Sequence, residues 1–431
     1  MRYLSIPNEL FIHNRNEFIK NIKPNSLAVF NSNPIVNTGA DSTMPFYQHR
    51  DIFFLSGINQ EDSILLLFPD AVEEKHREIL FLRETNDHIA VWEGEKLTKQ
   101  KAREISGIET IYWTSDFDSV FKILVFQSDR IYLNTNEHLR ANVEIPNREL
   151  DFIKKCKEKY PLHEYGRISP IMHKIRSVKH KIELELLQRA CDITEKGFRR
   201  LLKFVKPDVM EYELEAEMIH EFVCNRSKGY AYTPIIASGA NACILHYIEN
   251  NNKCKDGDMI LIDAGAEYAN YCSDMTRCMP VNGRFTDRQK SVYNAVLNVK
   301  KGAEELLRPG LLLSEYHKEV GKMMEKELLN LKLIDKTDIK NQSKDNPAYK
   351  KYFMHGTSHF LGLDTHDIGF FHEPIKENMV FTIEPGIYIR EESLGIRLED
   401  DVVIQSQGAP FNLMKNIPIE VEDIESEMMA R

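Results

Sequence analysis

The chain has 431 residues, 42% hydrophobic and 28% charged, a balance that suits two or three ordinary globular domains and excludes a disordered or fibrous protein. Its net charge of −10, with Lys and Arg spread along the chain, leaves no electrostatic footprint for nucleic acid and favours a small-molecule or peptide substrate. The seven cysteines, odd in number and without paired spacing, are expected as reduced core thiols, Cys191, Cys224 and Cys243 among them.

Met1 to Lys20 carries charges throughout, so no secretory signal is expected there, and no run approaches the length of a membrane span. A cytoplasmic protein without a membrane partner is the expectation. From Leu27 to Leu133, short apolar runs (Leu27 to Phe30, Ile64 to Phe68, Ile79 to Leu82, Ile131 to Leu133) predict buried strands separated by helix-compatible stretches such as Thr98 to Ser106. That pattern predicts an α/β domain over residues 1–172. The segment Ser169 to Lys181 is basic and reads as turn-rich. A second domain, residues 173–431, then opens with an amphipathic helix whose stripe is Ile182, Leu186, Ala190, Ile193, Phe198, Leu201 and Val205. Leu214, Met218 and Phe222 mark the next helical face, and Thr286-x-x-Gln289 predicts a capping box before a helix reaching about Leu307.

This second region carries a weak internal repeat. Lys206-Pro207 then Glu211-Tyr212 in one half recurs as Arg308-Pro309 then Glu315-Tyr316 in the other, each introducing a helix. Each half continues to an apolar strand ending in an acid, Asp263 or Glu384, with a second acid following at Asp274 or Glu399. A polar insertion near Lys336 to Asp345 lengthens the second half. An ionised carboxylate at the end of a strand such as Met259 to Ile262 is costly unless paired or coordinating a cation. Any one of these acids alone reads as a solvated strand end, but four together predict a shared site, with Asp274 returned to Asp263 by a hairpin.

His355, His359 and His366 place three of the fifteen histidines within twelve residues, interleaved with glycines, and His246 stands apart in Cys243-Ile244-Leu245-His246-Tyr247. The spacing of His355 and His359 suggests a helical zinc motif, yet the glutamate that should follow the first histidine is Gly356, so that reading fails.

Taken together, several strings resemble Xaa-Pro aminopeptidase (aminopeptidase P): Ser238 to Tyr247, Ile262-Asp263-Ala264-Gly265 with Asp274 to Arg277, His355 to Asp367, Thr382 to Gly386, and Gly395 to Asp400. Tyr47-Gln48-x-Arg50-Asp51 to Gly57 resembles the N-terminal domain of that family, so the resemblance spans essentially the whole chain. It implies an α/β N-terminal domain and an α+β pita-bread catalytic domain with a pseudo-twofold repeat. It implies that Asp274 and Glu399 bridge two divalent metal ions, with Asp263 completing one site and His359 with Glu384 the other. The hard, carboxylate-rich set suits Mn²⁺, with Co²⁺ or Zn²⁺ as substitutes. The implied reaction releases the first residue from peptides with proline at position 2, by a hydroxide activated between the ions. Glu384 serves also as proton shuttle, His246, His355 and His366 contact substrate, and Arg397 orients a carboxylate such as Asp263. A homo-oligomer, dimer or tetramer, is implied as well, with Trp92 either reaching a neighbouring site or packed in its own domain. Prolidase, a dipeptidase with the same metal set, is the alternative, and a non-enzymatic pita-bread binding protein a more distant one. Methionine aminopeptidase leaves the first 170 or so residues unexplained.

Overall fold

The computed structural model describes residues 2–141, 147–343 and 346–430. The chain divides into two compact units, Ser5–Ile175 and Met1–Leu4 with Arg176–Arg431.

The first unit runs α1 (Glu9–Ile19), β1 (Ser26–Asn31), α2 (Arg50–Ser56), β2 (Ile64–Leu67), β3 (Glu78–Leu82), α3 (Asp87–Glu93), α4 (Lys99–Ser106), β4 (Thr110–Trp113), α5 (Phe117–Gln127), β5 (Arg130–Leu133), α6 (Arg148–Lys159) and β6 (Glu164–Arg167). The strands form one mixed sheet in the order β4-β3-β2-β1-β5-β6, with β1 parallel to β5 and antiparallel to β2. Alternate residues, Leu27, Val29, Leu66, Phe81 and Ile131 among them, pack on Phe117, Phe121 and Leu124 of α5. Phe30, on the other face, meets Phe18 of α1 with ring centroids 5.2 Å apart. Covering both faces requires strands that are apolar at every position, which is why they read as unbroken runs rather than alternations. β4 and β6 escape such reading because their sequences, Thr-Ile-Tyr-Trp and Glu-Tyr-Gly-Arg, bury only one residue and none respectively.

Two expectations for this region change. Ser169 to Lys181 is not turn-rich: Ser169–Ser177 is a helix, α7, because Pro170 falls in the first turn, where its missing N–H and fixed φ cost nothing. Trp92 is not packed in its own domain; α3 buries no residue, and Trp92 is 76% exposed.

The second unit runs α8 (Lys181–Phe204), α9 (Glu211–Cys224), β7 (Ile235–Ser238), β8 (Met259–Asp263), β9 (Glu267–Tyr268), β10 (Tyr271–Cys272), β11 (Thr276–Pro280), α10 (Asp287–Leu306), α11 (Leu313–Asn330), α12 (Lys336–Asn341), β12 (Val380–Ile383), β13 (Gly386–Ile389), β14 (Leu394–Arg397), β15 (Asp400–Val403), β16 (Phe411–Asn412) and α13 (Val421–Met429). The stripe of α8 is buried as expected except that Leu187, rather than Leu186, points inward. Thr286 and Gln289 cap α10 reciprocally, Gln289 N–H to Thr286 Oγ1 at 3.3 Å and Thr286 N–H to Gln289 Oε1 at 2.8 Å. The repeat is visible as a helix pair followed by an antiparallel sheet in each half, β11-β8-β7 in the first and β12-β15-β16 in the second. Of the polar insertion, Lys336–Asn341 is helical, and Lys344 and Asp345 lie outside the described residues. None of the seven cysteines forms a disulfide, and six are buried; Cys224 is exposed at the end of α9, beyond the buried stripe of that helix. Among the described residues, no helix is long and apolar enough to cross a membrane.

Candidate metal centre

Asp263 is the last residue of β8, and the return strand β11 pairs with it in antiparallel register, Thr276 opposite Asp263. Asp274 precedes that strand by two residues, so the hairpin brings the two carboxylates together. Their common partner is Tyr232, whose hydroxyl lies 2.6 Å from Asp263 Oδ1 and 2.6 Å from Asp274 Oδ1. The second half meets the first at a bridge between Thr276 and Glu399, where Glu399 N–H donates to the Thr276 carbonyl at 3.0 Å and Thr276 Oγ1 donates to Glu399 Oε2 at 2.6 Å. Four acids expected at one midline are thus joined by backbone pairing across the two halves.

His359 reaches this midline from an irregular segment lying alongside β12. Thr382 N–H donates to the His359 carbonyl at 3.1 Å, and Glu384 N–H to the Thr357 carbonyl at 2.8 Å. The zinc-type helix rejected from the sequence is absent; residues 355–359 are irregular. Nδ1 of His359 donates to the Phe360 carbonyl at 3.0 Å, so Nε2 faces the acids, 3.4 Å from Asp274 Oδ2 and 3.6 Å from Glu384 Oε1; burial disfavours the charged ring, but Asp274 and Glu384 outweigh it and raise the pKa, and a cation would take the place of the Nε2 proton. Ligand atoms of Asp274, His359 and Glu399 all fall within 4.8 Å of one another, and all three residues are buried.

Electrostatics show what this cluster lacks. Burial raises the Asp263 carboxyl, with Asp274 adding to the effect, and pushes Glu399 well above the carboxylate range, with Asp274, Glu384 and Asp263 each contributing repulsion. Glu384 is pushed to about 7, mainly by burial and against the pull of His359 and Arg397. Burial and repulsion thus favour the protonated forms of Asp263, Glu384 and Glu399; divalent cations would replace those protons, and the donor set, four carboxylates with one imidazole nitrogen turned toward them, fits that role.

Arg397 ties the cluster to the substrate side. Its Nη2 donates to Asp263 Oδ2 at 2.5 Å, Nε to Thr276 Oγ1 at 3.1 Å, and Nη1 to the Tyr388 hydroxyl at 2.9 Å. The expected pairing with Asp263 is therefore present. Tyr388 lies 2.7 Å from His355 Nε2; because Arg397 occupies the oxygen as a donor, the phenolic hydrogen goes to His355. His355 Nδ1 then donates to the Gly356 carbonyl at 2.8 Å, and the imidazole is held neutral at about 3 by burial and by the charges of Arg397 and His246. His366 is exposed, its ring 4.3 Å from that of His359 and nearly perpendicular to it. Next to it, Asp367 is 2% exposed and is paired with Arg176 and, at 3.0 Å, with Lys179. His246 is exposed in the turn that follows Gly239–Cys243.

Eight of the nine candidate residues meet this cluster or one another at its edge, and for His246 the structure shows an exposed turn position. Sequence reasoning missed Tyr232 and Tyr388, which belong to no distinctive spacing, and it gave no role to Asp400 and Asp401. Both are buried inside β15: Asp400 pairs with Arg277 and Lys300, and Asp401 Oδ2 accepts from Asp274 N–H at 3.0 Å.

Residues 185–406 match the model for metallopeptidase family M24, and residues 11–132 that for the aminopeptidase P N-terminal domain. The chain is 34% identical to Xaa-Pro aminopeptidase of Escherichia coli strain K12, over 99% of this chain and 98% of that protein. It is similar to the structure of a putative aminopeptidase P from Bacillus anthracis, at 32% identity and TM-score 0.91, with 99% of each chain covered. The zinc-substituted E. coli aminopeptidase P in complex with product aligns at 30% identity and TM-score 0.88, again over 99% of each chain.

Proposed function

The chain belongs to metallopeptidase family M24, with an aminopeptidase P N-terminal domain and a pita-bread second domain, and from that premise we propose how its residues divide the work. The protein is a hydrolase that uses divalent metal ions to remove the first residue from peptides whose second residue is proline. The observation that carries the assignment of roles is the buried cluster of Asp274, His359 and Glu399, flanked by Asp263 and Glu384. We assign these five residues as ligands of two divalent ions, Mn²⁺ in preference to Co²⁺ or Zn²⁺ because four of the five donors are hard carboxylates.

When bound, the ions lower the pKa of the attacking water and polarise the scissile carbonyl. Glu384 accepts the proton of that water and returns it to the proline nitrogen as the amide bond breaks. Arg397 keeps Asp263 in place and, through Tyr388, fixes the ring of His355. His246, His355 and His366 bind the peptide and steady charge developing on its carbonyl oxygen. A proline after the scissile bond offers no N–H, so a site that accepts it must rely on the ring for recognition. A cytoplasmic setting is supported by seven cysteines that form no disulfide, and association into a homo-oligomer through the N-terminal unit by Val91 and Trp92, exposed by 79% and 76%.

Product analysis on a panel of peptides tests the proposal. Release of the first residue is expected from Xaa-Pro-Yaa peptides with a free amine. Comparable cleavage of Xaa-Ala-Yaa or N-acetylated peptides would refute it, and cleavage of Xaa-Pro dipeptides alone would make the protein a prolidase.

A further inference from the structure

We infer that Glu211 is a positioning residue whose buried carboxylate holds the segment carrying His246, an inference that rests on the substrate-contacting role proposed for His246. Glu211 opens α9 and is 0% exposed. Its Oε1 accepts from the backbone N–H and the hydroxyl of Ser238, both at 2.7 Å. Its Oε2 accepts from the Tyr247 hydroxyl at 2.7 Å and from Asn252 N–H at 2.8 Å. One carboxylate therefore pins the segment at its start, at the residue next to His246, and at its end. Glu215, one turn further along α9, adds a fourth point by accepting from Asn250 Nδ2 at 2.9 Å.

The end of the segment is also held by the Met210–Lys253 bridge and by Asn250, which bonds to Ile236 N–H and the Pro234 carbonyl, but the turn around His246 has fewer such ties. Between β7 and β8 its regular structure is one short 3₁₀ turn, Gly239–Cys243, and no ladder of backbone bonds runs through His246. Tyr247 is buried while His246 is exposed, so the tyrosine acts as the anchor from which the histidine projects. His246 and His355 are both assigned to the same peptide substrate. A shift of the anchor is thus a shift of one substrate contact against another, and rates fall steeply with such misplacement.

The carboxylate is hard to replace. Glutamine offers one acceptor oxygen, and its NH₂ would face two donors. The hydroxyls of Ser238 and Tyr247 can turn to accept, but neither the Ser238 nor the Asn252 N–H can, so one backbone donor is left without an acceptor.

The test uses the metal-loaded full chain with Glu211→Gln, Tyr247→Phe, His246→Ala and the two double variants with His246→Ala. Metal content, kinetics on one Xaa-Pro-Yaa tripeptide, and amide hydrogen exchange over residues 238–252 are measured together. Glu211→Gln is expected to retain its metal, to exchange faster within that segment, and to lose roughly 10- to 100-fold in kcat/KM. The loss should fall between kcat and KM in the same proportion as for His246→Ala. Combined with His246→Ala, neither substitution should reduce the rate more than about twofold further, because each acts through that histidine. Losses that multiply, unchanged exchange in the segment, or full activity of Glu211→Gln would overturn the inference. If Glu211→Gln does not fold, Tyr247→Phe, which removes a single bond, decides by the same criteria. Should the wild-type protein fail to cleave Xaa-Pro peptides, the proposed function falls, while the exchange measurement still decides whether Glu211 holds the segment.

Discussion

His359 donates from Nδ1 to the Phe360 carbonyl and turns Nε2 toward Asp274 and Glu384, whereas both ring nitrogens of His355 are engaged, by Tyr388 and by the Gly356 carbonyl. Of these two rings, His359 is the one whose Nε2 can be given to an ion. His359→Ala is therefore expected to lower metal content, while His355→Ala and His366→Ala keep close to the full complement and lose about 10²-fold or more in rate, as when a donor to the transition state is removed. Metal analysis beside kinetics on the purified variants checks this, and metal loss from His355→Ala with retention in His359→Ala would reverse the assignment. A fifth imidazole was not singled out from the sequence. His317, on α11, accepts the Thr357 N–H at Nδ1, 3.3 Å away, and burial lowers its pKa to about 4. Since the folded value lies below the ordinary one, the unfolded chain binds the proton more readily. The contribution is complete above about pH 6.5 and is lost as pH falls toward 4. Urea unfolding in the presence of chelator is expected to show His317→Asn, which keeps an acceptor but cannot titrate, losing about 2 kcal/mol less than the wild type between pH 7 and pH 5. Equal losses in the two proteins would show that His317 is not the source.

At the scale of elements, the first two acids depend on a tight hairpin. Gly265 follows Asp263 by two residues, and a Cβ there would lie 1.8 Å from the Ser273 carbonyl oxygen, a backbone atom that cannot move without opening the hairpin. Gly265→Ala is expected to cost about 3 kcal/mol or more and to reduce metal content by separating Asp263 from Asp274, as read by denaturant unfolding and metal analysis. Wild-type stability and metal content in that variant would mean the hairpin has slack that the structure does not show. That hairpin was legible in advance, because an apolar strand, a turn-forming stretch and a second acid follow one another in sequence. So were the stripe of α8 and the capping box at Thr286, both local patterns of side-chain chemistry. The helix at Ser169–Ser177 was not, since its proline and basic residues outweigh a short apolar pattern when position within the first turn is unknown. Cys224 misled for a similar reason: it lies in a helical pattern, but past the last buried position, Phe222.

Across the whole molecule, the repeat explains why the site can be assembled at all: each half contributes two acids, and the Thr276–Glu399 bridge joins them. The ligand positions were recognisable from motif strings. The groups that orient them were not, because Tyr232, Tyr388 and Asp401 are defined by what they meet across the fold, for example Asp401 beside the Asp274 backbone 127 positions away. What the comparisons with relatives leave to experiment is whether these five residues hold the ions on which cleavage depends. The most direct measurement is hydrolysis of one Xaa-Pro-Yaa tripeptide by protein stripped with chelator, verified metal-free, and then titrated with Mn²⁺. The acids were found to repel one another without a cation, so activity should vanish on stripping and return in step with bound Mn²⁺, reaching its maximum at about two ions per chain. Undiminished hydrolysis by the metal-free protein would contradict the account.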